Sequence, residues 1–357
     1  MDFKKISLLS LVSALGLSAM LLVSTEIEAG TAININKDPD FSYDNLQTAI
    51  DEASSDDTLL LAGTFTGSFI IKEKSLVLQG ESETILDGGE GGRVLEIIGI
   101  SSSERINVIL ANKITIRNGY AFSESNNGAN GGGILAVYVN LGLLQTTIEN
   151  CVADGVGGGI AVLDSRINIH LTTIANNQAA TGGGGSSLRS ISTIKNSTIK
   201  TNRDSGGGGG GILSNNGTLS IEDVVIADNS SESVGGGLYN STGSKAKVRK
   251  VIRDVPSGFI SNKAGGDGGG IYNSGTLTVE CINGFGDPLV SFIDGNISFG
   301  NGGGVYNAST ATATLKCEIS RNTASSGGGI YNAANESKLV VSRRLVEDNS
   351  PDNIVQQ

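Results

Sequence analysis

The chain has 357 residues, and its 36 acidic against 25 basic side chains give a net charge of −11. That balance favours solubility and argues against wholesale nucleic-acid binding. With 52 glycines, no tryptophan, three cysteines and one histidine, the chain lacks a disulfide framework and is poor in aromatic sugar platforms.

Residues 1–29 read as a secretory signal peptide. Lys4 and Lys5 give the positive start, Ile6–Ser24 is an apolar run of 19 residues, and Ala29 offers a small residue for cleavage before Gly30. The other reading of this run is an uncleaved anchor. No other stretch is long enough to span a bilayer, and no cysteine near residue 29 offers a lipid attachment point. Removing 29 of 357 residues leaves 328, with a net charge near −10 because three acids and two bases go with the leader.

Residues 30–57 read as an N-terminal cap with one short helix. Ser42 or Asp44 can cap it, and Leu46, Ala49, Ile50 and Ala53 form its apolar stripe. Short strands follow at Thr58–Leu61, Phe69–Ile71, Ser75–Leu78, Thr84–Leu86 and Val94–Ile97, and Val108–Ile116 continues the series.

From Gly131 onward the chain repeats itself. Runs of glycine followed by an anchor residue occur at Gly131–Ile134, Gly157–Ile160, Gly183–Ser186, Gly209–Ile212, Gly235–Leu238, Gly268–Ile271, Gly302–Val305 and Gly327–Ile330. Read this way, the first four steps between anchors are 26 residues each and the next three are 33, 34 and 25. An apolar residue followed three places later by Asn runs in step: Ile174–Asn177, Ile199–Asn202, Ile226–Asn229, Phe259–Asn262, Ile293–Asn296, Ile319–Asn322 and Val346–Asn349, with Cys151 in the same slot one copy earlier. Between the two marks lie short alternating runs such as Thr218-Leu-Ser-Ile221. A constant step near 26 with two or three short strands per unit describes a stacked solenoid. Glycine suits its corners because it takes positive φ, and stacked Asn residues can bond as a ladder. Residues 58–349 are therefore expected to form one parallel β-helix of about ten or eleven coils, roughly 50 Å long at 4.8 Å per coil. The helix at 42–53 would be its lid, and residues 350–357 a C-terminal tail. Cys281 and Cys317 share a slot in neighbouring coils; two buried thiols are expected there, with a bridge as the alternative.

Asn45-Leu-Gln-Thr-Ala-Ile50 followed by Asp57-Thr-Leu-Leu-Leu-Ala62-Gly-Thr-Phe65 resembles the opening of pectate-lyase-like right-handed β-helices. Ile85-Leu-Asp-Gly-Gly89, Ile114-Thr-Ile-Arg-Asn-Gly119 and the recurring Gly-Gly-Gly-Ile-Tyr-Asn resemble secreted bacterial β-helix repeats, closest in style to those of polymorphic outer-membrane proteins, with Ile often in place of Phe. The resemblance spans roughly residues 41–349. It implies an all-β right-handed parallel β-helix, and it is specific for fold rather than function. Autotransported adhesins of that family end in a membrane barrel, which needs about eight strands of roughly ten residues. This chain stops shortly after its last Asn mark, and Arg343, Arg344 and the Pro351 tail, or a partner chain, would close the last coil.

Lyases of this fold use Ca²⁺ held by clustered Asp and a basic proton abstractor; hydrolases use several close Asp residues. Neither constellation is legible here. His170, in Ile167-Asn-Ile-His-Leu171, should face solvent, with Ile167, Ile169 and Leu171 toward the core. Asp56-Asp57 reads as a turn, as do Asp228, Asp294 and Asp348. Gly265-Gly-Asp267-Gly is only a fragment of a Ca²⁺-binding nonapeptide. No catalytic residue, metal or cofactor is expected.

Two features suggest recognition. Tyr239, Tyr272, Tyr306 and Tyr331 line up just after successive anchors, either as a structural aromatic ladder or as a strip for carbohydrate contact. The period breaks around Val251–Gly258 and Ile282–Ser291, where insertions in neighbouring coils would protrude side by side. Lys245, Lys247, Arg249, Lys250 and Arg253 adjoin the first insertion and carry the densest positive charge of the chain. They read as a solvated face or as a site for an anionic polysaccharide or lipopolysaccharide. The function expected is a secreted or outer-membrane-surface, non-enzymatic, adhesin-like protein; the alternative is a polysaccharide lyase or glycoside hydrolase.

Overall fold

The computed structural model describes residues 29–122, 128–252, 256–281, 292–341 and 345–357. Residues 1–28, Arg253, the second insertion from Ile282 to Ser291, and Arg343 and Arg344 lie outside the described residues.

One coil shows the plan. Ile134–Val137 runs in a first sheet, Val139–Leu144 and Thr147–Glu149 form two legs of a bent second sheet, and Val152–Val156 lies in a third. A glycine turn then returns the chain to Ile160–Leu163, beside its starting strand. Like strands pair in parallel from coil to coil: Ile134 with Ile160, Ile148 with Ile174, Val152 with Gln178. Among the described residues the first sheet has 11 strands, from Phe69–Lys72 to Ile354–Gln356, in agreement with the ten or eleven coils expected. The second has 22 strands and the third seven. The fold is an all-β parallel β-helix.

Alternation explains the core. In Ile134-Leu-Ala136 the first and third side chains join the main apolar cluster, as Ile160 and Val162 do in the next coil. Each fully buried Ile or Leu contributes about 1.5–3 kcal/mol relative to an exposed one. The outward row of the first sheet is unusual, because Leu135, Ala161 and Leu213 are buried as well. The glycine turns fold against it: a side chain at Gly182 would meet Leu213, and one at Gly208 would meet Tyr239.

The first glycine of each run is at positive φ: Gly131, Gly157, Gly182, Gly209, Gly235, Gly268, Gly302 and Gly327. This corrects the repeat count in one copy. Gly182, not Gly183, opens the third turn, so Gly185 and not Ser186 fills the anchor slot, paired with Ile160 and Ile212. The first steps are therefore 26, 25, 27 and 26. Four equivalent glycines hide a one-residue offset that the hydrogen-bonded register resolves. With Gly185 where neighbouring coils place Ile, a cavity of about 30 Å³ opens between Ile160, Ile174, Ile212 and Leu219. The Ser187 and Ser192 hydroxyls bond each other at 2.8 Å beside it.

The asparagines form the expected ladder. From Asn177 through Asn202, Asn229, Asn262, Asn296 and Asn322 to Asn349, each Nδ2 donates to the next Oδ1 at 2.9–3.0 Å. Each Nδ2 also donates to a carbonyl of the preceding coil, as Asn262 does to Ile226 O at 2.8 Å. Cys151 begins the series, its N–H donating to Asn177 Oδ1 at 2.9 Å. A second ladder was not foreseen: Asn240, Asn273, Asn307 and Asn332 bond in sequence at 2.7 Å.

Among the described residues the one α-helix is Leu46–Glu52, with Leu46, Ala49 and Ile50 buried in the main cluster. Its cap is Asn45 rather than Ser42 or Asp44. The Asn45 side chain accepts from Thr48 N at 3.0 Å, whereas Ser42 lies in a strand antiparallel to Thr31–Asn34.

Candidate functional site

The basic strand Lys245–Lys250 lies in the second sheet. Alternation puts Lys245, Lys247 and Arg249 on its outer face, while Lys250 is buried. Strand pairing then sets Arg249 in a cross-coil row Lys195, Glu222, Arg249, Glu280, Lys316. The signs alternate along this row. Glu222 meets Lys195 at 3.0 Å and Arg249 at 3.4 Å, and Glu280 meets Lys247 at 3.2 Å and Lys316 at 3.8 Å. The carboxylates thus neutralise much of the charge that looked unopposed in sequence. Exposed pairs of this kind contribute about 0–1 kcal/mol each. Lys245 is exposed and has no ion pair among the described residues.

The four tyrosines form a row in which three stack and the first meets its neighbour edge-on. Tyr272 and Tyr306 lie 5.0 Å apart at 7°, Tyr306 and Tyr331 5.4 Å apart at 5°, and Tyr239 meets Tyr272 edge-on at 5.3 Å. Rings stacked on one another cover each other's faces. Tyr239, Tyr272 and Tyr306 are partly exposed, and Tyr331 is buried. Burial pushes the Tyr272 hydroxyl up to about 12, with the neighbouring tyrosines and Asp267 adding to the effect.

The two insertions leave the same corner of neighbouring coils. The first lies between Lys245–Lys250 and Gly258–Ile260, the second between Thr276–Cys281 and Ile293–Asp294, and the strands on either side pair in register. Asp223 fastens the root of the first: its buried carboxylate accepts from Val251 N at 2.7 Å and Ile252 N at 3.1 Å. Cys281 and Cys317 are joined by a disulfide at the root of the second, against the expectation of two thiols. Their strands pair Glu280 with Lys316, so the next residues face each other with Cα atoms 5.2 Å apart, a separation that suits a bridge. The buried Cys151 is free, and burial pushes its thiol up to about 12.

His170 stands between Leu144 and Lys195 on the outer face and is partly exposed. Leu171 departs from expectation: it turns the corner at φ +51° and is 49% exposed. Asp228 and Asp348 are turn residues at positive φ, but Asp294 lies in a strand and pairs with Arg321 at 2.6 Å. Asp56 turns at φ +70°, whereas Asp57 begins a strand. Burial opposes the charge of Asp57, but bonds from Asn34 Nδ2 and Ser54 N, both 2.8 Å, outweigh it and hold the carboxyl below its usual range. Asp204, fully buried, accepts from Gly207 N at 3.0 Å, Gly208 N at 2.9 Å and Ser231 Oγ at 2.6 Å; burial still pushes it up. Among the described residues no three His, Cys, Asp or Glu side chains are grouped to hold a metal ion, and no helix is long and apolar enough to cross a membrane.

The partners Glu222 and Glu280 were missed in the sequence. Their signal was the shared repeat position of Glu222, Glu280 and Lys316, which shows only once the coils are aligned through the insertions. The molecule is thus a parallel β-helix in which the strands flanking both insertions pair in register and a disulfide joins neighbouring coils beside them. No known protein family, curated protein or solved structure matches the chain.

Proposed function

We propose that this chain is a secreted or cell-surface adhesin-like protein, of the pectate-lyase-like fold and akin to polymorphic outer-membrane-protein repeats, whose rigid coils display a recognition lobe. The observation that carries this reading is that both insertions start and end at register-paired strands of neighbouring coils, with Asp223 at the root of the first and the disulfide at the root of the second. Loops held on a rigid scaffold are where binding surfaces concentrate. A bridge between coils also suits an oxidising compartment, in keeping with a leader at residues 1–29. The ligand class is an anionic surface polysaccharide or lipopolysaccharide, met by Lys245 and by the lobe itself rather than by the paired Lys247 and Arg249.

A polysaccharide array on the mature chain tests this. Binding should be lost when both insertions are replaced by the short corner Asn196-Ser197 of a regular coil, with the unfolding transition retained. Undiminished binding by that variant, or release of unsaturated or reducing-end products, would overturn it.

A further inference from the structure

A second feature lies far from the lobe, on the outer face of the first sheet in its earliest coils. Glu96 sits in the strand Leu95–Ile98, between Ile70 and Leu135 of the neighbouring coils. Its neighbours Leu95 and Ile97 belong to the core, so Glu96 points to the opposite, outer side. It is nevertheless buried, and it pairs with buried Arg93 at 2.5 Å. Arg93 is aimed by main-chain carbonyls: Nε donates to Asn130 O at 3.0 Å and Gly131 O at 3.1 Å, and Nη2 to Gly128 O and Asn130 O, both at 2.8 Å.

Later coils use this outward row differently. Leu135, Ala161, Ser186 and Leu213 fill it with buried, uncharged side chains beneath the glycine turns. Desolvating two charges costs several kcal/mol per ion, which an apolar filling of the same space avoids. In the Glu96 coil the row instead opens into a pocket of about 190 Å³. Arg93 and Glu96 line it, with Ser68, the 41%-exposed Ile70, Phe122 and Gly91 around them.

We propose that this pocket binds one neutral sugar ring, such as the terminal residue of a glycan. Its volume is below the roughly 300–1,000 Å³ of drug-sized sites and suits a single ring. Phe122 and Ile70 offer apolar surface for the C–H face of a pyranose, and the Glu96 carboxylate and Ser68 hydroxyl accept from its hydroxyl groups. Because Arg93 and Glu96 offset each other, a charged sugar would leave an uncompensated charge in a largely apolar pocket. The site is independent of the lobe and of the polyanion it is proposed to meet.

The test is a titration of the mature chain, followed by NMR, with methyl glycosides of glucose, galactose and mannose and with N-acetylglucosamine; glucuronate and glucosamine are the charged comparators. The key variant is Gly91→Trp. Gly91 lines the pocket, and a side chain there has only Gly88 O nearby, at 3.8 Å, so a bulky ring is accommodated at the pocket wall. At least one neutral sugar should shift the Ile70 methyl and Ser68 amide signals saturably. Gly91→Trp should weaken that binding about tenfold or more, with an unchanged melting temperature. Glu96→Gln should also weaken it, with the Ile70 signals of the free protein showing that the pocket persists. Absence of saturable shifts with all four neutral sugars, undiminished binding by Gly91→Trp, or preference for a charged sugar would each overturn the proposal.

Discussion

Asn262 shows what one side chain does in this solenoid. It is fully buried, donates to Ile226 O at 2.8 Å and Asn296 Oδ1 at 3.0 Å, and accepts from Asn229 Nδ2 at 3.0 Å. Asn262→Ala strands the partner groups on both neighbouring coils, and each buried unsatisfied group costs about 1–3 kcal/mol. Urea unfolding should show a loss of roughly 2–4 kcal/mol with a retained m-value. Protonation acts at the same scale, with opposite signs at different sites. The carboxyls of Asp57, Asp87 and Asp164 sit below the usual range. Their contribution is present above the ordinary carboxylate pKa and is lost as pH falls through their folded values. Asp204 is raised by burial, so its contribution is present below the ordinary pKa and is lost as pH rises through its folded value. Melting temperatures across the acid range should show both trends, and Asp204→Asn should remove only the second. The Asn slots were legible because a buried corner needs a side chain that bonds in both axial directions. The cap at Asn45 was not, since Ser42, Asp44 and Asn45 all have a suitable oxygen and only the backbone decides among them.

At the scale of the element, the glycine turn is the informative unit. In Gly182–Gly185 the four residues are chemically identical but structurally distinct. A side chain at Gly184 would come within 2.6 Å of Gly211 O, whereas one at Gly185 has only Ile160 O nearby, at 3.7 Å, and borders the cavity. Gly185→Ala should therefore stabilise the protein by roughly 0.5–1 kcal/mol, through lower unfolded-state entropy and added apolar contact. Gly184→Ala should destabilise it, and calorimetry of the pair separates the two. Sequence similarity alone could not assign these roles, because a run of equal residues carries no register. The charge row was hidden for a related reason. Lys195 and Glu222 are 27 residues apart, and Arg249 and Glu280 are register partners across the first insertion, so their adjacency exists only after the coils are aligned. The second Asn ladder is carried by the repeated pairs Tyr239-Asn240, Tyr272-Asn273, Tyr306-Asn307 and Tyr331-Asn332.

For the whole molecule, periodicity made the fold legible, while the candidate sites stayed faint because both sit where the periodicity fails. One is a corner that lengthens by seven and eight residues over the regular 26; the other is an early coil, before the glycine runs begin, where a charged pair replaces uncharged filling. The two cysteines connect fold and function. They face each other only if the strands Thr276–Cys281 and Thr312–Lys316 are register-paired neighbours, and they stay bridged only where the surroundings are oxidising. The most direct test of the account is therefore mass spectrometry, under non-reducing and alkylating conditions, of the protein taken from its native cell. The account predicts a peptide pair cross-linked through Cys281 and Cys317 and an unbridged Cys151. Free, alkylated Cys281 and Cys317 would contradict the oxidising, surface-exposed setting on which the proposed function rests, and a bridge from either of them to Cys151 would contradict the order of the coils.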